Sequence, residues 1–339
     1  MEGGDEMKNI FPARSCIYFT AGIIIVMLGF FLPQFACADK GTVYDDLFGV
    51  TFSTEKDGWA SGRWGTILHT SDGGKTWERQ NSGTDYTLSA IHFVDPKNGW
   101  AVGDEGTIIA TTDGGKTWTK QKSPVSYFLM DVYFLTPSRG FIVAERTHIL
   151  STDDGGKTWK VQFKDEDYIL KALSFCNGEV GWAVGEFGYI YRTKDGGNTW
   201  EKQAGFSDLS PETGELVGGT YLFDVKAISP DVAWAVGIEG HVINTMNGGK
   251  TWQQVKTEAP KVPLFSIAAK ADSLFIAGNG FFLVSDDSGK TWKKPTIKPP
   301  ITYTWLYGIS ARSSKDIILV GQGGTIYAGS REAIEKIKY

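Results

Sequence analysis

Three cysteines and four histidines among 339 residues leave little for disulfide or metal chemistry to work with. Cys16 and Cys37 lie in or beside an apolar N-terminal run. A mature chain that begins after that run keeps Cys176 alone and forms no internal disulfide. His69, His92, His148 and His241 are scattered. His148 and His241 hold equivalent repeat positions, but in non-adjacent repeats, which does not bring them to one ion. No metal, no cofactor and no catalytic residue is expected. Basic residues are also short, with 34 Lys and Arg against 39 Asp and Glu and a net charge of −5, which argues against a nucleic-acid partner.

Long hydrophobic runs are absent after Leu32. The one run present, Ile17 to Leu32, has 16 residues and is short for a membrane span. Lys8 and Arg14 precede it, and Ala36, Cys37 and Ala38 follow with the small-residue spacing of a signal peptidase site. Residues 1–38 therefore read as a secretory signal cleaved before Asp39, with Met7 a better start than Met1 because residues 1–6 are acidic. An uncleaved anchor, or a lipid on Cys37 despite Gln34, is the alternative. The chain without residues 1–38 keeps 32 basic and 36 acidic residues, a net charge of −4. The expected location is exported, periplasmic or extracytoplasmic, with membrane association left open.

Glycine (42) and tryptophan (12) are plentiful, and both recur periodically. The octapeptide TSDGGKTW at 70–77 returns with its tryptophan at Trp118, Trp159, Trp200, Trp252 and Trp292, at spacings of 41, 41, 41, 52 and 40 residues. A second motif precedes it: GWASG at 58–62, GWAVG at 99–103 and 181–185, and AWAVG at 233–237. Weaker copies run from Gly140 to Ala144, Ser273 to Gly278 and Asp316 to Gly321, the last with no octapeptide after it. Short alternating apolar and polar runs bounded by glycine-rich turns are strands. Four fit each repeat; in the second they are Leu88 to Phe93, Trp100 to Gly103, Thr107 to Thr111 and Thr117 to Gln121.

Four strands per repeat of about 40 residues indicate an all-β, seven-bladed β-propeller of four-stranded antiparallel blades. It is expected to span 39–330, with a C-terminal tail at 331–339 and an insertion near Ala204 to Gly219. The last repeat shows only three strands, so the fourth is expected from Gly41 to Tyr44, pairing the N- and C-terminal strands to close the ring.

The octapeptide has a mechanical explanation. Its aspartate accepts turn N–H groups, its glycines permit positive φ, and its tryptophan packs between sheets. This turn is the Asp-box, and it reads as scaffold. Asn247 replaces the aspartate in blade five and can make the same turn. The hairpins between second and third strands lie on the opposite face, together with the inner-strand starts, so binding residues are sought there. Arg63 and Trp64 occupy one hairpin tip and Arg146 another. Tyr86, Tyr127, Tyr168 and Tyr221 mark where inner strands begin. An aromatic arc with scattered arginines suits an extended peptide or a protein surface. Inter-blade packing is the competing role for each tyrosine.

GWAVG followed by DGGKTW resembles the photosystem II stability/assembly factor propellers over about Leu47 to Gly329. Related repeats occur in sialidases, sortilin-type receptors and some glucan hydrolases. The resemblance implies an exported, non-enzymatic propeller that holds a membrane protein during assembly or repair, in a photosystem if the host is phototrophic. It also implies partner binding by basic residues on one face, for which Arg63, Arg146 and Arg192 are candidates. A monomer with an integral membrane protein or complex as partner is expected. The alternative is a carbohydrate-binding or glycoside-hydrolysing propeller, for which Asp104, Glu105, Glu145, Glu186 and Glu239 at hairpin tips are available. Sialidase chemistry is disfavoured, since seven arginines after residue 38 offer no recognisable triad.

Overall fold

The computed structural model describes residues 43–205, 221–313 and 316–337. The expected signal (1–38), most of the insertion (206–219) and residues 41–42 of the expected closing strand lie outside them. Seven sheets follow one another; in the first six the strands are antiparallel and their order runs with the chain. Blade one is Leu47–Phe52, Gly58–Gly62, Ile67–Thr70 and Glu78–Gln80. The inner strand of each blade packs on that of the next, and blade seven returns to blade one. The chain is a seven-bladed propeller.

Closure brings the first and last blades together, through a different outer strand from the one expected. Val43 and Leu47 pack with Ile318, Val320 and Ile326 of blade seven. The strand that completes blade seven is Ala333–Lys336, paired with Thr325–Gly329. The tail thus contributes a strand, and the described part of Gly41 to Tyr44 is not one. The tail competes well because Ile334 alternates into the core while Glu335 and Lys336 face solvent. Thr296–Lys298 then pairs in parallel outside it, leaving blade six three-stranded with a bridge between Val284 and Lys293.

The core lies between blades. The second strand of each blade is buried on both faces, as GWASG at 58–62 is throughout. Trp59 stacks on Phe93 at 3.6 Å, and Trp100 on Phe134 at 3.4 Å. One internal covariation explains the motif's first glycine. In blades one to four the inner strand ends in Phe52, Phe93, Phe134 or Phe175, each paired with Gly58, Gly99, Gly140 or Gly181. The phenyl ring covers its glycine so closely that a Cβ on Gly99 would meet Phe93 at 2.4 Å. In blade five the pair is Ala227 and Ala233, both small, so the pocket fills without a ring.

The octapeptide turns close as expected. In blade two, Asp113 Oδ1 accepts the Thr117 N–H at 2.9 Å and Asp113 Oδ2 accepts the Thr117 hydroxyl at 2.7 Å. These bonds hold the Asp113 carboxyl down at about 2. Asn247 accepts the Thr251 N–H through Oδ1 and donates to its hydroxyl through Nδ2, making the same turn without charge.

These turns also join blades. Gly114 O accepts from Gln80 and from the Trp59 indole, and Gly155 O accepts from Gln121 and Trp100. Arginines serve at other joints: Arg139 donates to Gly196 O, and Arg312 to Gly73 O across the closure. The octapeptide tryptophans are less uniform than expected. Trp118 and Trp159 donate to Gln80 and Gln121, whereas the Trp200, Trp252 and Trp292 indoles are buried with no partner among the described residues.

Candidate functional site at the mouth of the central channel

Each inner strand starts with a leucine, at 47, 88, 129, 170, 222, 264 and 306, and all seven are buried. The pairing register shifts immediately after it in every blade. Such a bulge re-aims one side chain. The bulged residues, Phe48, Ser89, Met130, Lys171, Phe223, Phe265 and Tyr307, line one cavity of about 690 Å³ that touches all seven inner strands. This cavity is the mouth of the central channel.

The ring is lopsided. Phe48 contacts Tyr307 at 5.1 Å, Tyr307 contacts Phe265 at 5.3 Å, and Phe265 contacts Phe223 at 5.5 Å, an aromatic half-ring over blades one, seven, six and five. Blades two to four supply Ser89, Met130 and Lys171 instead. The Lys171 ammonium is pushed down by burial and is countered by Glu145 and Glu186.

One residue deeper, Asp131 and Asp224 line the same cavity. Each carboxylate ties its strand to the next blade. Asp131 accepts Leu173 N–H at 3.0 Å, and Asp224 accepts Ile267 N–H at 2.8 Å and the Ser266 hydroxyl at 2.9 Å. Burial pushes Asp131 up to about 7 and Asp224 up to about 6, and the charge of Asp224 adds to the rise at Asp131. Two residues further in on the same strand faces stand Lys226, Tyr133 and His92; His92 is pushed down to about 4 by burial and Lys226. Lys226 has no ion pair or hydrogen bond among the described residues, and burial lowers its pKa.

Most of the expected site residues sit at this mouth. Arg63 pairs with Asp46 at 3.2 Å, and Trp64 beside it is 66% exposed. Trp64 has φ 53°, but Glu105, Phe187 and Glu239 repeat that conformation, so it belongs to the turn rather than to tryptophan. Tyr86 is exposed. Tyr127 lies under the Arg146 guanidinium at 4.4 Å, and Tyr168 packs between Phe187 and Tyr189. Tyr221 contacts Phe187 at 5.2 Å, and it sits one position nearer its inner-strand leucine than the other three tyrosines. Packing thus claims three of the four tyrosines in part; of these contacts, that of Tyr221 crosses from one blade to the next.

Arg192 does not belong to this face. It stands on Ile190–Thr193 at the octapeptide end, over the Trp182 ring, donating to Gly248 O and Pro230 O at 2.7 Å each. Its alternating position on a third strand, rather than at a hairpin tip, is the sequence signal that separates it from Arg63 and Arg146. The arginines of the mouth and of the octapeptide end are thereby kept apart.

The residues not anticipated are the bulge ring, the Asp131 and Asp224 pair, and three exposed aromatics at the start of blades seven and one. Tyr303 is 88% exposed, Tyr44 79% and Trp305 40%. The recurring leucine followed by a variable residue is the pattern that marks the ring in sequence. The surrounding rim carries both signs: Asp85, Glu105, Asp165, Asp167, Glu239 and Glu258 are exposed there, and so are Arg63, Lys122, Arg146, Lys164, Lys256 and Lys261. Among the described residues no group of three His, Cys, Asp or Glu side chains is placed to hold a metal ion, and no helix is long and apolar enough to cross a membrane.

A ring of seven blades, six of them carrying the octapeptide, with a lined central mouth defines a repeat propeller of the bacterial neuraminidase-repeat type. The chain belongs to the family described as photosynthesis system II assembly factor YCF48, whose sequence signature matches residues 80–127, 118–211 and 207–336. Among solved structures it is similar to "YCF48 bound to D1 peptide", with 20% identity and a TM-score of 0.68, covering 85% of this chain and 92% of that one. It is also similar to YCF48 from Cyanidioschyzon merolae, with 21% identity, a TM-score of 0.66 and coverage of 86% and 97%. The GH74 xyloglucanase from Xanthomonas campestris shares the fold at 11% identity and a TM-score of 0.68. There the match covers 88% of this chain and 55% of that one. No curated protein matches the chain.

Proposed function

We propose that this chain is an exported, non-enzymatic propeller that binds a protein partner through its mouth face and aids assembly or stability of a membrane complex. One observation carries the reading. Among the described residues, five of the eight exposed large hydrophobic side chains, Tyr44, Trp64, Tyr86, Tyr303 and Trp305, lie on the mouth side of three consecutive blades. Exposed aromatic residues gathered in this way mark interaction surfaces. Family membership supports the reading, as does the solved relative described as bound to a D1 peptide. Arg63, Trp64 and Tyr86 form the centre of the surface, and Tyr127, Arg146, Tyr168 and Tyr221 its flank. In a phototrophic host the client is a photosystem component; elsewhere it is another envelope complex. The propeller acts as a monomer.

The test is affinity capture from detergent-solubilised host membranes, quantified by mass spectrometry. A reproducible membrane-protein partner should fall at least tenfold with Trp64→Ala plus Trp305→Ala, and also with Arg63→Glu plus Arg146→Glu. Capture unchanged in both variants contradicts the assignment of this face.

A carbohydrate reading gains one specific observation, since Asp131 and Asp224 are two channel carboxylates with raised pKa. Against it, each accepts N–H groups through both oxygens, which ties the carboxylates to the inner strands rather than to a glycosidic oxygen. Retention on a glycan array, lost in Asp131→Asn, would favour it.

A further inference from the structure

We propose that the central channel is an anchor site for a basic side chain of the bound peptide, held between the aromatic half-ring and the carboxylates of Asp131 and Asp224. This rests on the reading of the mouth as a peptide-binding face. Two features converge on a cation. Phe48, Tyr307, Phe265 and Phe223 present ring faces and edges around one side of the cavity, and aromatic faces attract ammonium and guanidinium groups most strongly where water is excluded. Asp224 stands one residue deeper than Phe223, and Asp131 one residue deeper than Met130 in the other half of the ring; both line the same cavity.

The resident cations leave this site open. Lys171 is at the rim on the opposite side and faces Glu145 and Glu186. Lys226 lies deeper and acts on both carboxylates through its charge, without an ion pair or hydrogen bond among the described residues, which leaves their mouthward side open. Arg63, also in the lining, is held by Asp46. A carboxylate or phosphate entering from the mouth would meet the aspartates before it reached Lys226. Burial raises the pKa of both aspartates, and the charge of Lys226 only partly offsets that rise.

Met130 provides the readout. It lies in the ring, whereas Met246, the other methionine among the described residues, lies on an octapeptide turn at the far end. The full chain carrying 13C-methyl methionine would be titrated with the peptide acetyl-Gly-Gly-Arg-Gly-Gly-amide and with its citrulline analogue. The expected result is a saturable shift of the Met130 methyl with Met246 unmoved, and at least tenfold weaker binding of the citrulline peptide. Asp131→Asn plus Asp224→Asn should weaken the arginine peptide by at least tenfold, with Met246 still at its folded position. Equal binding of both peptides, or binding unchanged in the double variant, overturns the proposal. So does a Met130 signal that no peptide moves. Agmatine binding as tightly as the arginine peptide would make the ligand a free cation and overturn the peptide source. Client capture that survives the aspartate variant but is lost with Trp64→Ala plus Trp305→Ala would sink the anchor and leave the peptide-binding face standing.

Discussion

Arg192 of blade four and Arg146 of blade three sit at opposite ends of the propeller, each over an aromatic ring. Arg192 lies over Trp182 and donates to two backbone carbonyls of blade five. Arg146 lies over Tyr127, and its guanidinium makes no ion pair or hydrogen bond among the described residues. The same contrast holds for tryptophan, with Trp182 buried and bonded to Gln203 and Trp64 66% exposed at a hairpin tip. At the octapeptide end, side chains that recur from blade to blade close joints. At the mouth, the positions that vary between blades face the channel and solvent. In a repeat protein, sameness marks the scaffold and departure from sameness marks the surface that does something.

Substitutions can break or sharpen that contrast. The largest effect is expected from Trp182→Ala, which empties a buried site and should cost about 3–5 kcal/mol in urea unfolding. Trp64→Ala should stay within about 0.5 kcal/mol while weakening client capture. Equal destabilisation by the two would erase the difference between the ends. Next comes Arg192→Met, which leaves Gly248 O and Pro230 O without their charged donor and should cost about 1.5–3 kcal/mol. Arg146→Met should leave the unfolding midpoint nearly unmoved.

Gly99→Ala should cost about 1–3 kcal/mol by forcing the Phe93 ring aside. In a Phe93→Ala background the added methyl should cost far less, since blade five carries the Ala227 and Ala233 pair. A double-mutant cycle without coupling contradicts the covariation argument.

The smallest effect is electrostatic. In a carboxyl-13C titration, Asp113 should titrate at about 2, and Asp131 and Asp224 at about 7 and 6. Asp113, depressed in the fold, contributes stability that is present above its unfolded value of 3.8 and is lost as pH falls toward 2. The channel pair has the opposite sign. These groups keep protons the unfolded chain has released, so their contribution falls as pH rises from about 4 to 7. His92, pushed down to about 4, opposes that fall, which is why site-resolved titration is the better readout than bulk stability.

The blade count, most strand boundaries and the role of the octapeptide were legible because six copies of the octapeptide, and a seventh copy of the motif before it, repeat in steps mostly of about 41 residues. The mouth was legible only at its hairpin tips. Arg63, Trp64 and Tyr86 could be placed because turns announce themselves through glycine. The channel ring could not, since a bulge leaves no turn residue behind and flips the inward side chain by one position. Phe48 and Phe265 thereby escape a period-two reading. Arg192 was misplaced because charge alone does not say at which end of a strand a side chain finds its acceptor. The closing strand was misassigned because Ala333–Lys336, short and half charged, carries only Ile334 as an apolar signal.

The most direct test places a photocrosslinking p-benzoylphenylalanine at position 64 or at position 246, both exposed and at opposite ends, in solubilised host membranes. The account predicts a client adduct from position 64 and none from position 246. An adduct from 246 alone, or equal adducts from both, would contradict the assignment of binding to the mouth and of scaffolding to the octapeptide end.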